Sequence, residues 1–419
     1  MIRRKRPPLR GRELIVLVGM GILVLAILSG LLYADVRWSS MISGGGRFYS
    51  SWAAARTFLV RGGEPYGATS AFEAQVLAYG RPAHQDENPY WLDLPFFLLP
   101  FYFPIALVPD ATLARGLWAL ASQLALVGAM LLTMRVIEWS PPRLVVVLSA
   151  VTLVFSYYSV AALIEGSAVI FLCLIYISML WALKEARDEW AGALGALGLF
   201  LWEAGLVYLL FITWRVFHDR RWRVLAGFGM ALAILLLIAF LLDPGWFMPF
   251  LIASVGMLRS NAGISSSAAL LRLVPDGGRA IARVLSILMS GMILYEWAIS
   301  RGADFRGFTW TACLVLAATP LLGIRTELSN LVVLIPSLAL IFSVAIQKGS
   351  RYGWFGVLFM AASFVVPWLL RMTTAGKTAE GDLLFLFLPC LTVMGLYWIR
   401  WRFLRPARTW LDEVRAAGG

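Results

Sequence analysis

The feature that most limits what this chain can fold into is the recurrence of long apolar runs. The run at residues 14–33 reads "LIVLVGMGILVLAILSGLLY". Comparable runs occupy about 111–134, 143–160, 164–183, 223–242, 280–299, 307–322, 328–346, 352–370 and 383–400. A helix of roughly 20 apolar residues matches the hydrocarbon core of a bilayer, about 30 Å thick. Inside lipid no water can satisfy a backbone amide, so each run must pair its own N–H and C=O groups as a helix. The composition agrees: of 419 residues 60% are hydrophobic and 14% charged, with a mean hydropathy of +0.78. A soluble protein of this size cannot hide that much apolar surface. The expected fold is an all-α polytopic membrane protein.

Two apolar stretches resist reading as single spans. Residues 93–110 carry Pro95, Pro100, Pro104 and Pro109, which break helical hydrogen bonding. Residues 190–217 hold Glu203 and Gly205 at their middle. If both crossed once, Arg135, Arg143, Lys184 and Arg187 would face outside. If both turn back, these four share the cytoplasmic side with "HDRRWR" (218–223) and "QKGSR" (347–351). The positive-inside rule prefers the second arrangement. The expectation is therefore a bundle of about 10–12 membrane elements, some re-entrant, with both termini in the cytoplasm. In this reading 1–13 and 401–419 are basic tails, 14–346 the main membrane domain and 347–400 its C-terminal helices. Outward loops run from about 34 to 92 and from 243 to 279. Residues 14–33 are long enough to remain as a span, so no cleaved leader is expected.

Other classes lose ground on simple chemistry. The net charge of +12 gathers near the membrane in "MIRRKRPPLRGR" and "RWRFLRPARTW", as expected for clusters held at an anionic bilayer face; no nucleic-acid partner is expected. Cys173, Cys313 and Cys390 each lie within an apolar run and read as small core residues. His84 and His218 are far apart in sequence, and the carboxylates Asp86, Glu87 and Asp93 show no fixed ligand spacing. No metal site and no cofactor is expected.

The first outward loop begins with "GGGRFYSSWAAARTFLVRGGEPYG" (44–67). Phe48, Trp52, Ala55 and Leu59 recur at helical spacing, Gly62-Gly63 supplies a stop, and Pro65 prevents resumption. This describes an amphipathic helix lying in the membrane interface. The order of first span, a loop helix with Phe48, Trp52, Ala53-Ala54-Ala55-Arg56, Leu59, Gly62-Gly63 and Pro65-Tyr66, and then a Pro-rich aromatic segment resembles the family 87 glycosyltransferases of the GT-C superfamily. The likeness continues at "LIEGS" (163–167), at 220–246, and at "ATPLLGIRTELSNLVVLIP" (318–336), spanning about 14–346.

That resemblance implies an inverting enzyme with a GT-C-type bundle. It would move a hexose or pentose from a polyprenyl-phosphate donor to a lipid- or glycan-linked acceptor at the extracytoplasmic face. Arginines suit the phosphate leaving group because a planar guanidinium donates two hydrogen bonds to it. Arg47, Arg56, Arg61, Arg259, Arg272 and Arg325 are the candidates, with Trp52, Tyr66 and Glu327 among the substrate-binding residues. The family's usual acid before the loop helix aligns with Arg47, so the base falls to Asp35, with Glu165 as a second catalytic candidate. Asp35 reads equally as an interface anchor paired with Arg37, and Arg325 with Glu327 as a mutual pair. Glu203, an acid within an apolar stretch, is a functional suspect. The departures at 47, around the family's Gly-Gln pair (Gly166-Ser167 here) and around Trp202-Glu203 keep two alternatives open. One is a lipid-linked-sugar flippase or transporter; the other is a silent homologue acting as an assembly partner.

Overall fold

The structure is a computed structural model that describes residues 11–84, 87–259, 263–347, 350–374 and 380–404. The predicted basic tails therefore lie largely outside the described residues. The fold is all-α: no strand occurs among the described residues, only an isolated antiparallel bridge between Ile264 and Thr326.

Helix α1 (Gly11–Met41) opens the chain, about 46 Å long at 1.5 Å per residue. It runs eight residues past the expected end at 33, because no Gly or Pro interrupts "LLYADVRWSSM". The first long loop then holds α2 (Gly46–Arg61) and α3 (Ala68–Tyr79), followed by a 3-10 helix (Phe96–Tyr102) and the short α4 (Phe103–Ala106). As expected, α2 stops at Gly62, which takes a left-handed φ of 64° while Gly63 N donates to Thr57 O at 3.0 Å. Phe48, Trp52 and Ala55 of its stripe are buried, whereas Leu59 is exposed.

The bundle proper comprises α5 (Ala111–Val136), α6 (Arg143–Val154), α7 (Tyr157–Glu165), α8 (Val169–Lys184), α9 (Asp188–Leu197), α10 (Trp202–His218) and α11 (Trp222–Leu242). After α12 (Phe247–Arg259) and α13 (Ser266–Leu273) come α14 (Gly278–Ile299), α15 (Phe305–Ala318), α16 (Ile335–Gln347), α17 (Ser350–Thr374) and α18 (Glu380–Leu404). Among the described residues eight helical segments are long and apolar enough to cross a membrane. The bent pair α6–α7, kinked by 52°, makes a ninth if it is one span, and α8 is a shorter apolar helix. The chain is a multi-pass membrane protein.

Hydrogen bonds reveal which termini share an end. At one end, Arg115 at the start of α5 donates to Ile42 O just beyond α1 (3.0 Å) and to Ile164 O in the last turn of α7 (2.7 Å). Here too Arg272 of α13 grips Asp382 of α18. At the opposite end, Val136, Lys184, Asp219, Phe305 and Phe403 line one polar cavity of about 520 Å³. Arg215, Arg221 and Arg306 crowd that end, which we call the basic end.

Both awkward stretches turn back. Asp188 at the start of α9 pairs with Arg221 just before α11, and Arg221 also donates to Leu183 O at 3.1 Å. Arg215, late in α10, donates to Ala303 O at 2.9 Å. Residues 188–221 thus leave and return at the basic end, folding at a 3-10 turn (Gly198–Leu201). Close backbone packing holds this hairpin. A Cβ on Gly192 would lie 2.0 Å from Val224 O, and one on Gly227 would lie 2.3 Å from Glu189 O, so α9 and α11 meet through glycine faces. The Pro-rich 93–110 likewise begins beside Arg47 and ends before Arg115, at the same end.

Single cysteines at Glu185 and at Arg220, in a background lacking the native cysteines, should react with an impermeant thiol reagent from the same side of the membrane. A cysteine at Arg325 should react from the other side. Labelling of 185 and 220 from opposite sides would refute the hairpin.

Candidate active site at the acid-rich end

The centre of this end is Arg47, the second residue of α2. Its position follows from the preceding glycines. Gly44 and Gly45 adopt φ of 126° and 81°, values that favour glycine, which turns the chain sharply from α1 into α2. A side chain on Gly46 would collide with the ring of Tyr90 at 1.9 Å, so Tyr90, itself at a positive φ of 47°, lies directly on the start of α2. Behind the turn sits the buried Arg115, its guanidinium engaged by the carbonyls of Ser39, Ile42 and Ile164 and facing the Tyr49 ring.

Around Arg47 converge carboxyl groups from four other segments. Its Nε donates to Glu327 Oε1 at 2.7 Å, its Nη1 to Asp93 Oδ2, and Glu203 Oε1 lies 3.9 Å from Nη2. Glu165, the last residue of α7, lies against Glu327 and Ser329 and within electrostatic reach of Arg47. Glu165 Oε2, Glu327 Oε2 and Ser329 Oγ are buried without a hydrogen-bond partner among the described residues. Burial works against the Arg47 charge. Glu327, Asp93 and Glu203 outweigh it and raise the guanidinium pKa well above its ordinary value. The side chains remain partly open: Asp93 is 27% exposed, Arg47 15% and Glu203 13%. Asp93 and Glu327 share the Arg47 cation as direct ion-pair partners. Chemically it offers a set of hydrogen-bond acceptors, with Asp93 partly exposed. Among the described residues no three His, Cys, Asp or Glu side chains are arranged to hold a metal ion, and the centre of this acid cluster is filled by Arg47.

The structure sorts the sequence candidates. Arg47, Glu165 and Glu327 meet here, joined by Glu203 at the N-terminal end of α10. Glu327 pairs with Arg47, whereas the sequence offered Arg325 as its partner; Arg325 is exposed in the same loop. Asp35 does not join the cluster. Because α1 continues to Met41, Asp35 sits inside the helix rather than beyond it, and accepts a 2.8 Å hydrogen bond from Gln123 of α5. It is 4% exposed and bonded to Gln123, not to Arg37.

Most of the other guanidiniums are struts. Arg56 lies over the Trp52 ring and donates to Ala106 O at 3.0 Å, while Trp52 Nε1 donates to Ile105 O at 3.2 Å; together they fasten α2 to α4. Arg61 forks onto Glu73 of α3, and Arg272 forks onto Asp382. Tyr66 Oη donates to Leu94 O at 2.8 Å. The side chain of Arg259 and all of Asp86 lie outside the described residues. Glu87 is held down to about 2 by its hydrogen bond from Arg81 and is separate from the cluster.

Sequence reasoning undervalued Asp93 and overlooked Tyr90 and Arg115. Asp93 did carry a signal, since it opens the Pro-rich segment that cannot cross. An arginine in the first turns of an apolar span was a signal for Arg115. Comparison with protein-family models, curated proteins and solved structures finds no match to this chain.

Replacing Arg47 by Met should destabilise the folded state by about 3 kcal/mol, because it strands carboxylates that it now neutralises. Adding Glu327→Gln to that variant should recover part of the loss. Simple additivity of the two changes in thermal unfolding would show that the groups are not coupled.

Proposed function

We propose that this chain is an inverting membrane glycosyltransferase of GT-C type. It transfers a sugar from a polyprenyl-phosphate donor to a lipid- or glycan-linked acceptor at the extracytoplasmic face. The observation that carries the reading is the convergence of Asp93, Glu165, Glu203 and Glu327 on Arg47, beneath a helical loop at one end of the bundle. Acids at a bilayer edge are costly, and a set gathered from remote segments is expected where chemistry requires it. The orientation follows from charge. The end carrying Lys184, Arg187, Arg215, Arg220 and Arg221 belongs in the cytoplasm by the positive-inside rule, which turns the acid cluster outward. Counting α6–α7 and α8 as crossings gives ten in this reading, so that α1 begins and α18 ends on that cytoplasmic side, and the membrane is the plasma membrane.

The roles follow from exposure and charge. Asp93, the most exposed carboxylate of the cluster, is the general base that takes the proton from the acceptor hydroxyl as it attacks the anomeric carbon. Arg47 orients Asp93 and Glu327 rather than meeting the donor. Arg325, exposed beside Glu327, is the guanidinium we assign to the phosphate that leaves with the electron pair of the broken glycosidic bond. The base role thus moves from Asp35 to Asp93.

One observation favours a second reading. Glu203 begins α10 just after the turn of a hairpin that enters and leaves at the same end, and broken helices with an acid at the break also characterise proton-coupled carriers. A carrier would move lipid-linked sugar across proteoliposomes without forming product.

Asp93→Asn should lower transfer from a polyprenyl-phosphate sugar at least 100-fold while the protein still folds and inserts. Asp35→Asn should stay within a few-fold of the wild type. Retained transfer in the Asp93 variant, or loss confined to the Asp35 variant, would overturn this assignment.

A further inference from the structure

The cavity of about 520 Å³ at the basic end has the size of a small-molecule site. Its inner wall is apolar, built from the buried Val136, Val216, Phe308 and Phe403. Its charged lining sets four cations, Lys184, Arg215, Arg221 and Arg306, against three carboxylates, Glu138, Asp219 and Asp304.

Most of these charges are taken up within the protein. Arg215 pairs with Asp219 at 2.7 Å and donates to Ala303 O, and Arg221 pairs with Asp188. Asp304 caps α15, accepting from Gly307 N at 2.9 Å. Two cations on one carboxylate are left. Lys184 Nζ lies 2.9 Å from Glu138 Oε1, and Arg306 Nη2 lies 3.4 Å from Glu138 Oε2. The two cations come from different elements, the end of α8 and the start of α15. Lys184 is fixed by donating to Arg135 O and Val136 O, at 3.0 and 3.1 Å.

Glu138 is the weakly held member of this trio. It is 58% exposed and Arg306 48%, and pairs so exposed contribute little to stability. Its backbone takes a left-handed φ of 59°, which favours glycine over a side chain. A phosphate monoester carries about two negative charges near neutral pH, and its oxygens accept from both cations at once. In the place of Glu138 it balances Lys184 and Arg306 together, which one carboxylate does not.

We propose that this cavity binds a phosphate monoester between Lys184 and Arg306, with Glu138 displaced into solvent and the organic part of the ligand against the apolar wall. The ester arrives either as a soluble molecule or as the headgroup of a monoester lipid in the adjoining leaflet. The site lies at the opposite end of the bundle from Arg47, so it is separate from the donor site proposed above and independent of it.

The test uses the full chain in phosphatidylcholine nanodiscs. In one arm phenyl phosphate is titrated against phenyl sulfate, which carries a single charge. In the other, phosphatidic acid and the diester phosphatidylglycerol are counted by native mass spectrometry. The expected result is at least five-fold tighter binding of the monoester in one arm, and the arm that responds identifies the source. Arg306→Gln should remove that preference, whereas Glu138→Gln should tighten monoester binding at least three-fold. A damaged fold would weaken binding in both variants, so the opposite signs separate a binding role from a structural one. Equal binding of monoester and single-charged analogue in both arms, a preference unchanged in Arg306→Gln, or affinity unchanged or lowered in Glu138→Gln would each overturn the proposal.

Discussion

A single guanidinium shared among carboxylates from remote segments organises this end of the protein. Near a bilayer the surroundings screen charge poorly, so an uncompensated acid is expensive and an acid beside a cation is held firmly. Arg47 therefore fixes the relative positions of α2, the start of the Pro-rich segment, the hairpin at Glu203 and the loop at Glu327. Each of those segments also needs its own support. The glycine turn and the Arg115 clamp hold α1, α2 and α7, and the glycine faces of α9 and α11 bring Glu203 to its depth.

The same physics explains why other arginines serve as braces. A guanidinium near lipid takes the first geometrically suitable acceptor. Arg56 takes the free carbonyl at the end of α4, Arg61 a carboxylate on α3, and Arg272 the almost fully buried Asp382. These bonds tie α2 to α4, α2 to α3 and α13 to α18. The Tyr90 ring is packed against Gly46 at the start of α2, next to Arg47.

Much of the architecture was legible before any coordinates, because lipid imposes a simple rule of length and backbone satisfaction. The spans, the Gly62 stop and the failure of 93–110 and 190–217 to cross all follow from run length, proline and charge placement. The site was legible in part. Glu203 stood out as an acid within an apolar stretch, whereas Glu165 and Glu327 were named through the family resemblance. The partnership of Arg47 with Asp93 and Glu327 was not readable, since their separations of 46 and 280 residues are closed only by tertiary packing. Asp35 misled for a local reason. Hydropathy ends the first run near residue 33, but helix propensity carries α1 to Met41, so an apparent boundary acid became an interhelical one bonded to Gln123.

The central claim is that the acid cluster around Arg47 is where a glycosidic bond is broken. Electron cryomicroscopy of the protein in nanodiscs with a non-cleavable polyprenyl-phosphonate sugar would address it directly. The account predicts density for the sugar ring against Asp93 and Glu327, with the phosphonate towards Arg325 and the isoprenoid running into lipid. Sugar density at the basic end, among Lys184, Arg215 and Arg306, would contradict it.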